Sequence, residues 1–140
     1  MNDLPDLVRE ELNTSIYERK DSSIIISAIK NLGVSPSRFF INFFENYTGP
    51  FWSEKLGYEL LDLVEANPNI IKQTRICREL YKFPAKYIVL TELTAGQVAV
   101  LNSTTDEVLE VDFEGGDELL RRGDLKPRWF SFREFLIDYF

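Results

Sequence analysis

The sequence contains no histidine, and Cys77 is its single cysteine. Without histidine the chain lacks the usual general base near neutral pH, the partner of a catalytic serine or cysteine, and the commonest zinc ligand. It also lacks a phosphate-binding loop, because "DFEGGDELL" has neither the lysine nor the serine or threonine of that motif. Only chemistry between carboxylates stays open, as in glycosidases. We therefore expect no enzyme, no cofactor and no metal site.

Long apolar runs are missing as well. None approaches the ~20 residues that a membrane-spanning helix needs. The first residues, "MNDLPDLVREEL", are acidic and lack the apolar stretch of a secretory signal. A lone cysteine cannot form a disulfide within the chain, which is typical of a reducing compartment. We therefore expect a cytoplasmic protein that does not contact membranes. The length of 140 residues predicts a single domain.

Basic residues are absent between Lys86 and Arg121, and the whole chain has a net charge of −7. This part of the chain, the acidic run, contains eight carboxylates: Glu92, Asp106, Glu107, Glu110, Asp112, Glu114, Asp117 and Glu118. Such a charge distribution repels nucleic acid and anionic membranes and favours a basic partner. A solvated acidic surface that only keeps the protein in solution is the alternative interpretation.

Aromatic residues are concentrated in "SRFFINFFENYTGPFW", residues 37–52. One face of a helix has the spacing i, i+3, i+4, i+7, and the residues with this spacing are Phe40, Phe43, Phe44 and Tyr47. This spacing indicates a helix packed into the core rather than an exposed aromatic surface. Ser35-Pro36 is the predicted start of the helix and Gly49-Pro50 its end. Trp52 follows that end and remains a candidate contact residue.

Other segments also have helical patterns. The first is "LPDLVREELNTSIYERK", with Asp3 as its cap, and the second is "SSIIISAIKNLG". Another helix is predicted from about Asn69 to Tyr81, where Cys77 falls on the apolar side and is interpreted as a small buried residue. The last is "SFREFLIDYF", which begins with the serine and glutamate of a capping box.

Between the last two helices the periodicity changes to that of strands. "KYIVLTEL", "QVAVLNS" and "EVLEVDF" are separated by turns short enough for hairpins, which predicts an antiparallel meander. Alternation places Leu109, Val111 and Phe113 on one face, and Glu110 and Asp112 on the other. The chain is therefore predicted to be an α+β domain, with part of its acidic run on one side of a sheet.

Three stretches resemble the SUKH superfamily. "NLGVSPSRFFINFFENYTGPF" is similar to the glycine, proline and aromatic-helix pattern that opens these domains. "KYIVLTELTAGQVAVLNSTTDEVLEVDF" resembles the central meander, and "SFREFLIDYF" the closing helix. The resemblance implies an α+β fold with a mixed, largely antiparallel sheet flanked by helices. The expected organisation is one SUKH-like domain over 1–140, with N-terminal helices in 1–33 and the family-like core in 34–140.

The resemblance also implies a function. Many bacterial SUKH members are immunity proteins, cytosolic binders that neutralise a toxin, often a nuclease, delivered by neighbouring cells; others are regulatory interaction proteins. A nuclease has a basic active-site surface, and a carboxylate-rich face can compete for it and speed association. We expect an immunity protein that binds a cognate basic toxin domain. A regulatory or scaffold module without catalytic activity is the alternative.

Candidate partner-binding residues come from the acidic run and from two aromatic positions. Charge and sheet alternation favour Glu110, Asp112, Glu114, Asp117 and Glu118, with support from Glu92 and Asp106. Aromatic anchors supply much of the binding energy of protein interfaces, so Trp52 and Tyr58 complete the set. Reversing the charge of Glu110 and Asp112 is expected to weaken binding and to leave thermal stability nearly unchanged.

Overall fold

The structure, a computed structural model, describes residues 4–13 and 15–140, which form a series of helices and short strands. The helices are α1 (Asp6–Leu12), α2 (Ser23–Leu32), α3 (Arg38–Asn46), α4 (Ile70–Tyr81), α5 (Gly116–Arg122) and α6 (Phe132–Tyr139). The strands are β1 (Phe51–Trp52), β2 (Glu59–Leu60), β3 (Tyr87–Val89), β4 (Gln97–Asn102) and β5 (Val108–Asp112). The α+β class predicted from the sequence is confirmed.

Three of the six helices named above, α3, α4 and α6, begin at a residue whose side chain caps the first turn. Asn69 and Ser131 cap α4 and α6, with side-chain oxygens that accept hydrogen bonds from backbone N–H groups of the first turn. The predicted start of α3 is wrong by two residues. Its cap is Ser37 and not Ser35, because the Ser37 hydroxyl is the one within reach of a first-turn N–H. Asp3, the predicted cap of the first helix, lies outside the described residues.

Helix α5 is not among the helices predicted from the sequence, where its first residues belong to the acidic run. It begins at Gly116, directly after Gly115, whose backbone φ of 122° favours glycine. Asp117 and Glu118 lie in its first turn and Arg121 and Arg122 in its last. These charges complement the helix dipole at both ends and form pairs four residues apart. Glycine has a low helix propensity, so the sequence does not indicate a helix here, but the charges at its two ends stabilise one.

The strands form two antiparallel sheets, where the SUKH resemblance implies one mixed sheet. β1 and β2 form a hairpin, and β3, β4 and β5 form the predicted meander in that order. No parallel pairing occurs among the strands of residues 4–13 and 15–140. In the hairpin, Phe51 pairs with Leu60 and both are buried, whereas Trp52 pairs with Glu59 and both are exposed. The hairpin therefore presents a tryptophan and a carboxylate side by side on its outer face.

Two apolar clusters cover the two faces of the meander. The larger one holds the aromatic residues of α3 and α6 together with Ile88 and Leu101. The smaller one lies under α4 and α5 and includes Leu109 and Val111, with Phe113 packed against it. This confirms the predicted alternation of β5. Glu110 points to the opposite face, where the hairpin lies.

A buried ion pair joins the N-terminal part of the chain to the segment after β2. The side chains of Arg19 and Asp62 are fully buried and hydrogen-bonded to each other. Arg19 also donates to the carbonyl oxygens of Phe44 and Tyr47, at the end of α3. Asp62 accepts hydrogen bonds from the backbone N–H of Gly49 and of the two residues at 64 and 65. The pair therefore fixes both ends of the segment that carries the β1–β2 hairpin.

Removing one member of this pair should destabilise the fold strongly. Asp62→Ala leaves a buried guanidinium without its closest carboxylate and is expected to lower the free energy of unfolding by ~3–5 kcal/mol. Urea denaturation followed by circular dichroism measures the loss. The control is Glu65→Ala, because Glu65 also pairs with Arg19 but is 53% exposed; it should cost less than ~1 kcal/mol. Equal losses in the two variants would contradict the importance of the buried pair.

Candidate functional site

A shallow groove lies between the β1–β2 hairpin and the turn that joins β3 to β4. It consists of two adjoining cavities, of about 90 and 210 Å³. Both cavities are lined by Gly57, Tyr58, Thr91, Glu92 and Thr94. The larger one also reaches Trp52 and Glu59, and the smaller one reaches Glu110. We call these residues together the Tyr58 groove.

The hairpin supplies the first wall. Its position is fixed by the hydroxyl of Tyr139, which accepts a hydrogen bond from the Leu60 N–H at 2.7 Å. The same hydroxyl lies 2.8 and 2.7 Å from the carbonyl oxygens of Phe51 and Tyr58, which share its proton. Because Tyr139 is buried on α6, it ties both strands of the hairpin to the core. Trp52 is thereby held on the outer face with 58% of its surface exposed.

The β3–β4 turn and the strands beside it supply the second wall. Thr91 is buried and accepts a hydrogen bond from the Ala99 N–H, which holds the start of the turn against β4. Glu92 follows and is exposed. Ala99 pairs with Glu110 across the two strands. Both residues line the smaller cavity, where the small side chain of Ala99 leaves room.

Glu110 joins the two walls. Its carboxylate accepts a hydrogen bond from the Tyr58 hydroxyl at 3.3 Å and pairs with Arg128 at 2.6 Å. Burial, together with the negative charge of Glu110, raises the pKa of the Tyr58 hydroxyl, which therefore stays protonated and donates. The hydrogen bond to Glu110 raises the pKa of the Arg128 guanidinium. One end of the groove is thus a closed ion pair rather than a free carboxylate.

Arg128 rests on an ordered platform. Its guanidinium carbon lies 4.6 Å from the centroid of the Trp129 ring. Trp129 is only 6% exposed, and its indole N–H donates to Asp138 at 3.0 Å. Its backbone also bridges to Val108 at the edge of β5. The arginine is therefore fixed by a carboxylate and an indole, with 48% of its side chain still exposed.

Four of the predicted partner-binding residues meet at the Tyr58 groove, although they are far apart in the sequence. Trp52 and Tyr58 belong to the hairpin, Glu92 to the turn and Glu110 to β5. Glu59 joins them from β2. The carboxylates of Glu59 and Glu92 make no hydrogen bond or ion pair within residues 4–13 and 15–140. These two remain available for a ligand or a partner.

Asp106 and Asp112, also predicted to bind a partner, are engaged inside the fold. Asp106 accepts hydrogen bonds from the Ser37 hydroxyl and the Phe132 N–H, so it joins the starts of α3 and α6. Asp112 accepts from the N–H groups of Glu114 and Gly116 and orders the loop that leads into α5. Their carboxylates stabilise local structure.

The remaining predicted acids lie on or near α5, outside the groove lining. Asp117 pairs with Arg121 at 3.1 Å, and Glu118 lies 4.0 Å from Arg122. Glu114 is exposed in the loop before the helix. The acidic run is therefore divided among a groove, two structural positions and a helix surface.

Sequence reasoning missed Glu59 and Arg128. Glu59 is adjacent to Trp52 only because β2 pairs with β1, and strands of two residues carry little alternation to detect. Arg128 lies outside the acidic run, so a search for carboxylates does not find it. The sequence signal is its position directly before Trp129, since arginine often stacks on tryptophan.

Other kinds of site find no support in the described part of the chain. No group of three or more candidate ligands there could hold a metal ion. No helix in that part is long and apolar enough to cross a bilayer. Cys77 is buried, as predicted, and burial raises the pKa of its thiol to about 11, so it remains protonated and unreactive near neutral pH.

No protein-family model matches the chain, and no curated protein matches it in sequence. The SUKH resemblance therefore rests on the motifs quoted above.

The hydrogen bonds of Asp112 change the expected result of charge reversal there. Asp112→Lys removes the acceptor of two backbone N–H groups and should lower the free energy of unfolding by ~1 kcal/mol, similar to the loss of a helix cap. Glu114→Lys, an equal charge change at an exposed neighbour, should stay within ~0.5 kcal/mol. Thermal and urea unfolding of both variants measure this difference. Equal stability of the two would show that the Asp112 bonds contribute little.

Proposed function

We propose that this chain is a SUKH-like immunity protein that binds and neutralises a basic toxin domain, such as a nuclease, through the Tyr58 groove. The observation that carries the proposal is the convergence of Trp52, Tyr58, Glu92 and Glu110 on one groove. The sequence predicts all four as partner-binding residues, by charge or by aromatic character. Their meeting in space supports a common role.

The size of the groove favours a side chain of a macromolecule over a small substrate. Together its two cavities, of about 90 and 210 Å³, reach only the lower limit of the ~300–1,000 Å³ typical of small-molecule sites. A cavity of this size can hold an arginine or lysine side chain of a partner. Glu59 and Glu92 supply the opposite charge, and the exposed face of Trp52 can stack on the cation.

The charge of the whole chain supports the same kind of partner. A net charge of −7 attracts a basic domain over a distance and repels nucleic acid. Steered association of this kind reaches ~10⁸–10⁹ M⁻¹s⁻¹ at low salt. Fast capture suits an immunity protein, because a toxin molecule that escapes can act before it is bound.

Aromatic anchors complete the interface. Tryptophan and tyrosine are enriched among residues that dominate binding energy, usually near the centre of an interface. Trp52 is exposed, while Tyr58 is partly buried and oriented by Glu110. Both are on a hairpin held by Tyr139, so little conformational entropy is lost when a partner binds them.

The proposal is tested by a search for the partner followed by a rescue assay. Tagged protein is incubated with lysates of the source organism and its competitors, washed at low and high salt, and the retained proteins are identified. The proposal expects one basic domain whose binding weakens with salt. Expressing that domain should stop growth, and co-expressing this chain should restore it. Salt-insensitive association with host signalling proteins, without rescue of growth, would favour the regulatory module instead.

Charge reversal at the two unpaired carboxylates should disrupt the interface selectively. Glu59→Lys with Glu92→Lys is expected to weaken binding of the purified basic domain by ~100-fold or more, because two favourable charge contacts become repulsive. The matched control is Glu114→Lys with Glu118→Lys, which changes the net charge equally on and beside α5. Isothermal titration calorimetry compares the variants. Equal weakening in both pairs would assign binding to the acidic run as a whole, and not to the groove.

A further inference from the structure

The Tyr58 groove carries a cation at its rim that the proposed function does not use. Arg128 contacts the groove wall through Glu110, at 2.6 Å, and 48% of its side chain is exposed to solvent. A guanidinium has five N–H donors. The bond to Glu110 uses one of them, and the others have no hydrogen-bond partner within residues 4–13 and 15–140. This leaves most of its donor capacity free at the rim.

The geometry of Arg128 is that of a prepared anchor. The carboxylate of Glu110 fixes one edge of the guanidinium, and the indole of Trp129 supports its plane. Trp129 cannot easily move, since it is buried, bonded to Asp138 and packed edge-on against Phe135 at 4.9 Å. A free arginine loses ~2 kcal/mol of rotamer entropy when it is ordered. Here most of that cost is already met in the unbound protein.

We infer that Arg128 is a second anchor of the Tyr58 groove and receives a carboxylate on the surface of the partner. The inference rests on the proposed function in that the groove is taken as the interaction face. The partner surface is then bipolar: a cation enters between Trp52 and Glu92, and an aspartate or glutamate nearby binds the free edge of Arg128. A fork of parallel N–H donors matches a carboxylate in its plane.

A purely acidic interface makes the opposite prediction for Arg128. If the groove attracts the partner only by negative charge, the arginine reduces that attraction, and its removal should strengthen binding. If Arg128 holds a carboxylate, its removal should weaken binding even though the groove becomes more negative. The sign of the effect therefore separates the two interpretations.

The test uses a defined probe and does not require the natural toxin. A phage-displayed library of random twelve-residue peptides is selected on the immobilised full chain. The enriched peptides are synthesised, and their affinities for the wild type, R128Q, R128K, E92K and R122Q are measured by fluorescence anisotropy. R122Q is the matched control, because Arg122 is also exposed and pairs with carboxylates but lies on α5.

The inference expects enriched peptides that contain both a basic residue and a carboxylate. R128Q should bind them about tenfold more weakly or worse, as for loss of a charged hydrogen-bonded pair. R128K should also bind them more weakly, because an ammonium lacks the planar fork. R122Q should bind them like the wild type. Replacing the peptide's carboxylate with an amide should abolish the difference between wild type and R128Q, which shows direct pairing even if R128Q is slightly less stable.

Two results would overturn the anchor. One is peptides that bind R128Q as tightly as the wild type or more tightly. The other is a library that yields no binder dependent on Arg128. Neither decides the proposed function: basic peptides that lose affinity in E92K protein but not in R128Q would support the acidic groove while removing Arg128 from it.

Discussion

The buried pair of Arg19 and Asp62 is the constraint on which the candidate site depends. Asp62 accepts the Gly49 N–H, and Arg19 holds the end of α3, so the ends of the segment between them are brought together. The β1–β2 hairpin lies within that segment. An ion pair without solvent has to satisfy its hydrogen bonds fully, because each unpaired group is costly. These bonds hold the base of the hairpin, and the hairpin carries Trp52 and Tyr58.

Tyr139 continues the same construction from the other end of the chain. Its hydroxyl bonds the middle of the hairpin, while its ring belongs to the buried face of α6. Asp106 joins the starts of α3 and α6, so the two aromatic helices and the hairpin form one connected unit. Few of these bonds are between neighbours in sequence. The rigidity of the groove therefore comes from long-range polar bonds within an aromatic core.

The distribution of the acidic run shows how a fold changes the meaning of a charge pattern. Asp106 and Asp112 bond backbone N–H groups, and Asp117 pairs with an arginine on its own helix. Glu92 and Glu110 face the groove, where Glu59, from outside the run, joins them. A carboxylate near free backbone donors stabilises a loop or a helix start, whereas one without such donors stays available. The net charge of the chain predicts the sign of the partner's charge. Nearby backbone N–H donors decide which carboxylates stay free to bind that partner.

The sequence alone determined the α+β class, the aromatic core helix, the three-stranded meander and the alternation of β5, since each depends on local spacing and on the 3.6- or two-residue period. It also selected Trp52, Tyr58, Glu92 and Glu110. Only the tertiary structure decided that these four meet, that Glu59 and Arg128 join them, and that Asp106 and Asp112 do not. Those outcomes depend on strand pairing and on bonds between residues distant in sequence, such as Arg19 and Asp62. Hydrophobic period specifies which face of an element is buried, but not which other element it will contact.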